Sequence, residues 1–364
     1  MEKNVKNNVH IGWVSSAVRI LLLAMIFFVA LNLITGSLKF MGRDTVHEYL
    51  SAADNPFVAL FIGLLATAII QSSSTITSVV VALAATGSIG FETAVPIVLG
   101  ANIGTTLTGF LVSLVFIGRK REFRKALTVA SSHNFFNVFL VLILFPLEYF
   151  YGSISGAARY LASIIGVNQA NAEISKNSFS LSSSAVEFFG SGAVVLIIAI
   201  VLLVFSIKLL AKFIYNLLVE RRKSDFGLLM KNPYKSFSLG LLLTAGIQSS
   251  SVTTSFAVAV AATGKISAKK LFPFIMGANV GTTVTAFVAT LFKSEAALAI
   301  AFVHLIFNVV GVLIFLPFPP LRNIPVFIAL RFSAMTSKNR FIGFTYFLII
   351  FFILPFILIY FNGV

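Results

Sequence analysis

The chain has 364 residues, of which 58% are hydrophobic and only 11% charged, a balance that excludes a soluble globular domain and points to a protein crossing the bilayer several times. It contains no cysteine, which excludes disulfides and thiolate metal sites. The net charge of +15 does not mark a nucleic-acid binder, because the basic residues gather in loops between apolar runs, as positive-inside topology produces.

From the N-terminus, residues 1–19 are polar and mildly basic and lead into an apolar run at 20–34. The run is too long for a signal-peptide core and no small-residue cleavage site follows it, so a first span that stays is expected. Apolar runs predict spans at 14–35, 93–117, 126–150, 186–213, 271–292, 296–317 and 341–361, about seven full crossings of ~20 residues each. Two runs remain, 55–87 and 235–264, each with a polar cluster at its middle. Their half-length arms reach only partway across, which predicts re-entrant hairpins.

Charge orients this layout. Basic loops are expected at 119–125, 208–235, 265–270 and 322–340, whereas the long loop 151–184 carries only Arg159 and Lys176 as basic residues. With the N-terminus in the cytoplasm of a multi-pass cell (inner) membrane protein, every basic loop falls inside and the weakly charged loop outside. The first hairpin then dips in from outside, the second from the cytoplasm, and the C-terminus ends outside.

The chain repeats itself. Residues 63–110 align without gaps onto 240–287 at a constant offset of 177, with 28 of 48 positions identical. The alignment resumes at His133-Asn-Phe-Phe-Asn137 and His304-Leu-Ile-Phe-Asn308. Each unit would hold a hairpin and two full spans, and the single span between the units turns the second over. The fold expected is an all-α polytopic membrane protein with inverted repeats, a transporter architecture whose ligand sits near the midplane. It divides into an N-terminal segment with the first span (1–54), repeat 1 (55–150), a loop, linking span and basic loop (151–234), repeat 2 (235–317) and a cytoplasmic segment with the last span (318–364).

Two motifs recur at matched positions. Gln71-Ser72-Ser73-Ser74-Thr75 and Gln248-Ser249-Ser250-Ser251-Val252 fall where each hairpin reverses. The second arm would begin there, aiming free backbone N–H groups and a positive dipole end at the membrane centre. Serine hydroxyls can donate to an anion's oxygens, and their lone pairs can coordinate Na+. The alternative is that the serines bond back to the preceding turn and the glutamines pack between helices, a reading that weakens when the cluster occurs twice.

The second motif is Gly100-Ala-Asn-Ile-Gly-Thr-Thr106, matched by Gly277-Ala-Asn-Val-Gly-Thr-Thr283. Two glycines four apart predict a weakened helix whose released carbonyls join Asn102, Thr105 and Thr106 (Asn279, Thr282 and Thr283) in an oxygen-rich site. The alternative is a small-residue packing seam. His133 and His304, each with an asparagine four residues on, suggest polar pairing between helices rather than a metal site.

No carboxylate is placed inside a span to shuttle protons, and no lysine or arginine stands at the motifs. A multiply charged anion held there needs a counter-cation, a physical reason for coupling to Na+. An enzyme would need a nucleophile–base pair or metal cluster, and none appears. A receptor or scaffold would not require polar tips at mid-membrane.

These residues resemble the type II sodium–phosphate cotransporter family: both Gln-Ser-Ser-Ser copies, each followed by a Gly-Ala-Asn-x-Gly-Thr-Thr element, in the same duplicated order over about 55–317. The C-terminal span is similar to the short bacterial members, which implies a form without an appended soluble regulatory domain. The resemblance implies that Gln71, Ser72, Ser73, Ser74, Gln248, Ser249, Ser250 and Ser251 hold phosphate. It implies that Thr75, Asn102, Thr105, Thr106, Asn279, Thr282 and Thr283 hold Na+. The expected activity is sodium-coupled symport of inorganic phosphate into the cytoplasm. The alternatives are another oxyanion, sulfate or a dicarboxylate, or phosphate export. Expected partners are inorganic phosphate, Na+ and the lipid bilayer, with homo-oligomerisation left open. No cofactor beyond co-transported Na+ and no transition metal is expected.

Overall fold

The computed structural model describes residues 51–165, 184–218, 229–290 and 294–362, with most of 19–41. Among them there is no strand. Helix α1, Leu21–Leu38, is the first span; the part predicted upstream of Arg19 lies outside the described residues. The first hairpin is α2, Pro56–Ile70, and α3, Ser73–Thr86. A two-part span follows, α4 (Phe91–Gly104) and α5 (Leu107–Leu114), then α6 (Lys120–Tyr151) and α7 (Ser153–Ile165). Helix α8, Gly192–Leu218, leads to the second hairpin, α9 (Pro233–Ile247) and α10 (Ser250–Thr263). After it come α11 (Ala268–Thr290), α12 (Glu295–Phe315) and α13 (Pro319–Lys338). A five-residue π turn, Ile349–Ile353, joins α14 (Arg340–Leu348) to α15 (Leu354–Asn362).

Both hairpins start the same way. Asn55 and Asn232 cap α2 and α9, accepting at 2.9 Å from the amides of Phe57 and Tyr234, and each helix has proline in its first turn. Proline costs nothing there, because its missing N–H would be unpaired anyway. The arms are 15 and 14 residues in both hairpins, roughly 21–23 Å at 1.5 Å per residue and short of the ~30 Å hydrocarbon core.

Six helices among the described residues are long and apolar enough to cross a membrane, against about seven expected. The seventh, predicted at 186–213, coincides with α8, a helix of 27 residues. Two regions expected to be loops are helical. Within 151–184, α7 buries Ile154, Ala158 and Ala162, an i, i+4, i+8 stripe on one face. The stretch expected as a basic loop before residue 340 is α13. It docks on α6 through a 2.7 Å contact between the hydroxyls of Thr128 and Ser333 and an edge-on pair of Phe135 with Phe332.

Glycine sets how closely each hairpin lies on the helix after it. A Cβ at Gly100 would fall on the Leu60 carbonyl oxygen, and one at Gly277 on that of Phe237. Helices α2 and α4, and likewise α9 and α11, therefore pack backbone to backbone.

Contacts at the two ends place the bases of the hairpins. Arg159 of α7 pairs with Glu92 beside the base of the first hairpin, and its guanidinium lies 4.6 Å from the centre of the Phe91 ring. The base of the second hairpin lies at the opposite end: Gly264 sits against the Lys125 side chain. That end also holds the α5–α6 turn, where Arg340 donates to the Ile117 carbonyl at 3.0 Å. Parts of three basic stretches meet there: Lys125, the run that follows Gly264, and Arg340.

Candidate functional site

The chain reverses in each hairpin at a glutamine in the left-handed region. Gln71 has φ 59° and Gln248 φ 57°, the only non-glycine residues with positive φ among the described residues. An L side chain pays about 1–2 kcal/mol there, and such strain collects at functional sites. The turn is closed by the amides of Gln71 and Gln248, which reach back to the carbonyls of Thr67 and Thr244 at 2.7 and 2.6 Å.

The next residue in each copy caps the second arm. Ser72 Oγ accepts from the Thr75 amide at 3.2 Å and from Thr75 Oγ1 at 2.9 Å. Ser249 Oγ accepts from the Val252 amide at 3.4 Å. Each serine oxygen thus faces a helix N-terminus, leaving its own hydrogen free to donate elsewhere. The remaining N–H groups of the first turn point the same way, which makes both starts anion-binding geometries.

The tips touch. Ser251 Oγ donates to the Gln71 carbonyl at 3.0 Å, and Thr285 Oγ1 lies 3.4 Å from the Gln248 carbonyl. Beside this contact is a cavity of about 580 Å³, whose polar lining is Gln71, Ser72, Thr108, Ser249, Ser251 and Ser255. It follows α5 and α10 down to Val112 and Ala259, towards the base of the second hairpin. Thr108 Oγ1 is buried in its wall without a hydrogen-bond partner. Thr108 and Ser255 were not singled out in sequence, although Thr108 lies two residues past a motif and Ser255 three.

The other predicted residues sit behind this face. Ser73 and Ser74 are buried in the first turn of α3, and Ser73 Oγ accepts from Thr105 Oγ1 at 3.1 Å. Thr75 is fully buried, and Ser250 is buried at the start of α10. After the first Gly-x-x-x-Gly, Thr105 and Thr106 form a turn between α4 and α5, both still in the right-handed helical region, with the Thr106 amide on the Ile103 carbonyl at 3.0 Å; α11 runs unbroken through Gly277–Thr283. In place of the expected unwinding the first copy has only a tightened turn and the second a continuous helix, and in both the glycines serve the packing seam. Thr106, Thr282 and Thr283 donate to carbonyls of their own helices, those of Ile103, Ala278 and Val280.

Asn102 and Asn279 are held by the opposite unit, and the two halves differ. His133 Nε2 lies 2.7 Å from Asn279 Oδ1, and Asn279 Nδ2 donates to Asn137 Oδ1 at 3.1 Å. As the partner is an acceptor, His133 carries its proton on Nε2. In the matched half, Asn102 Nδ2 turns to the Val98 carbonyl, and Asn308 Nδ2 donates to Asn102 Oδ1 at 3.2 Å. His304 Nδ1 and Asn308 Oδ1 are left buried without partners. The pairing read from the His-x-x-x-Asn spacing is thus present at His133 and open at His304. Asn279→Ala should destabilise the ligand-free protein by about 1–2 kcal/mol more than Asn102→Ala, because it strands both a ring nitrogen and an amide oxygen. Thermal unfolding of the two purified variants checks this.

No charged side chain is buried among the described residues apart from the two histidines, if protonated. The described acidic residues, Asp54, Glu92, Glu122, Glu148, Glu187 and Glu295, are all exposed or half-buried; the other six lie outside the described residues.

The profile of the family described as Na+/Pi-cotransporter matches residues 26–167 and 202–339. A "Sodium-dependent phosphate transport protein 2A" of Mus musculus is 27% identical over 91% of this chain and 65% of its own length. A "Sodium-dependent phosphate transport protein 2B" of Homo sapiens is 25% identical over 92% and 64%. The chain thus spans a little under two thirds of these relatives. No solved structure matches it.

Proposed function

Because the chain belongs to the Na+/Pi-cotransporter family, we propose that it is a secondary transporter carrying inorganic phosphate together with Na+ into the cytoplasm. The observation that carries this reading is the meeting of two serine-capped helix starts, each behind a left-handed glutamine, beside one polar-lined cavity.

A phosphate dianion there would be held by hydroxyls, an amide and two helix starts, with no lysine or arginine in the lining. We assign it to Gln71, Ser72, Ser73, Ser74, Gln248, Ser249, Ser250 and Ser251, with Gln71, Ser72, Ser249 and Ser251 facing the cavity. Burying two negative charges among neutral groups is costly unless cations enter with them. Na+ answers that need, and the oxygens of Thr75, Asn102, Thr105, Thr106, Asn279, Thr282 and Thr283 are hard ligands for it. Proton coupling has no buried carboxylate to run through among the described residues.

We further propose that the two repeat units alternate access by inverted-repeat exchange. The cavity runs from the tips towards the end where the basic stretches gather, the cytoplasmic end under the positive-inside rule. This conformer is then open inward. The difference between the His133 and His304 networks fits such a scheme, with the second network completed in the outward-open state.

Uptake of labelled phosphate into proteoliposomes, with and without an inward Na+ gradient, tests the proposal. Uptake should require the gradient and resist a tenfold excess of sulfate. Equal uptake without Na+ removes the coupling, and full inhibition by sulfate or a dicarboxylate replaces the substrate.

A further inference from the structure

A second cavity, of about 620 Å³, lies away from the tips, between the α5–α6 turn and the α13–α14 corner. Its volume is within the ~300–1,000 Å³ of pockets that bury a small molecule. The wall is almost wholly apolar, with Phe110, Leu114, Phe123, Leu127, Phe344 and Phe347 contributing much of it. Three polar residues break that surface, and one of them, Ser113, is satisfied within its own helix by the Phe110 carbonyl. Thr336 lines the cavity and is only 3% exposed, and its Oγ1 has no hydrogen-bond partner. Arg340 stands exposed in the lining; it donates to the Ile117 carbonyl, and no carboxylate pairs with it among the described residues.

We propose that this cavity binds one anionic phospholipid, with an acyl chain in the apolar trough and the headgroup phosphate on Arg340. The chemistry selects an amphiphile with this order of parts. A free anion would leave the phenyl-lined trough empty, and a purely apolar guest would leave the guanidinium and the buried hydroxyl unanswered. An ester carbonyl, the group joining chain to headgroup, is the acceptor that a buried Thr336 hydroxyl lacks. Charge favours the same occupant. The α6 start that supplies Phe123 and Leu127 runs Arg119-Lys120-Arg121-Glu122-Phe123-Arg124-Lys125, five basic residues against one acidic. Basic pockets between membrane helices bind anionic headgroups, and each nearby cation adds attraction to an anionic leaflet. Neither Thr336 nor Arg340 touches the tip cavity, so the site is separate from the one proposed for transport.

The test uses the purified full chain, stripped of lipid in detergent, with dioleoyl phosphatidylglycerol or dioleoyl phosphatidylcholine added. The two share their acyl chains and differ in net charge. Native mass spectrometry should show one phosphatidylglycerol retained at about tenfold lower lipid concentration than phosphatidylcholine, with a matching rise in Tm. Arg340→Gln should abolish the preference and Arg340→Lys preserve it. Thr336→Val, which keeps the volume and removes an unpartnered hydroxyl, should weaken retention of both lipids without lowering the lipid-free Tm. Equal retention of the two lipids by the unaltered chain overturns the proposal. So does an Arg340→Gln protein that keeps the preference. If Arg340→Gln fails to fold, the Thr336→Val comparison decides, and undiminished retention there also overturns it.

Discussion

Replacing both tip-capping serines by glycine, Ser72→Gly with Ser249→Gly, is expected to abolish Na+-driven phosphate uptake in a chain that still folds. Each serine has two jobs that this substitution separates. As a cap, Ser72 takes the Thr75 amide and Ser249 the Val252 amide. Glycine at an N-cap gives up only a few tenths of a kcal/mol, whereas alanine gives up about 1 kcal/mol. As a donor, each hydroxyl lines the cavity with its hydrogen uncommitted, and the helix start that polarises its oxygen strengthens what it donates. A hydrogen bond to a charged ligand contributes about 1.5–3 kcal/mol, so each lost donor weakens phosphate about 10–100-fold. The double variant should therefore fall below measurable uptake. It should also lose the rise in Tm that phosphate and Na+ together give the unaltered protein. Uptake at the unaltered rate would reduce these serines to caps.

What could be read from residues alone follows from which physical costs are visible in one dimension. Gln71–Thr75 was legible as a buried tip because a polar run between two apolar arms has few tolerable places in hydrocarbon. Its serines also announce a helix start in any surroundings. Helix α13 was not legible. Pro319, Pro320 and Pro325, with Arg322 and Arg331, interrupt its apolar stripe and imitate a basic loop. It is helical because two prolines lie in its first turn, where they cost little, and because Val326, Ala329 and Ser333 are buried. Helix α7 carries its stripe at 154, 158 and 162, but a weakly charged stretch between spans reads equally as an outside loop. The glycines of the second motif suited a broken helix or a close crossing equally well. What decided it was the approach of a neighbouring backbone, which no local spacing encodes. The partners of Asn102 and Asn279 were similarly out of reach. The matched positions carry the same residue, yet one side-chain amide bonds its own helix and the other bonds across the units.

The largest effect on the fold is expected from a single methyl group. Gly100→Ala should leave no correctly folded protein, and Gly277→Ala should do the same in the second unit. A Cβ at Gly100 would come closer than 3.0 Å to the Leu60 carbonyl oxygen, a separation real Cβ atoms do not reach; at Gly277 the obstacle is the Phe237 oxygen. Both obstacles are backbone atoms inside helices, so neither can swing aside as a side chain would. The clash recurs at Gly63 against the Ile97 carbonyl and at Gly240 against that of Phe274, so sliding one helix along the other relieves nothing. Gly156→Ala is the matching control. Its Cβ would meet nothing within 4 Å at the end of the first turn of α7, where alanine favours the helix by up to about 0.5–1 kcal/mol. Gel filtration of the detergent-extracted variants should give a monodisperse peak for Gly156→Ala and aggregate or no protein for Gly100→Ala. The seam matters beyond stability, because the pairing of α2 with α4 holds Thr105 at 3.1 Å from Ser73 behind the first tip. A Gly100→Ala chain that folded and transported normally would mean that the hairpin can lift off α4 without disturbing the tip. The site would then owe its geometry to the contact between the tips alone.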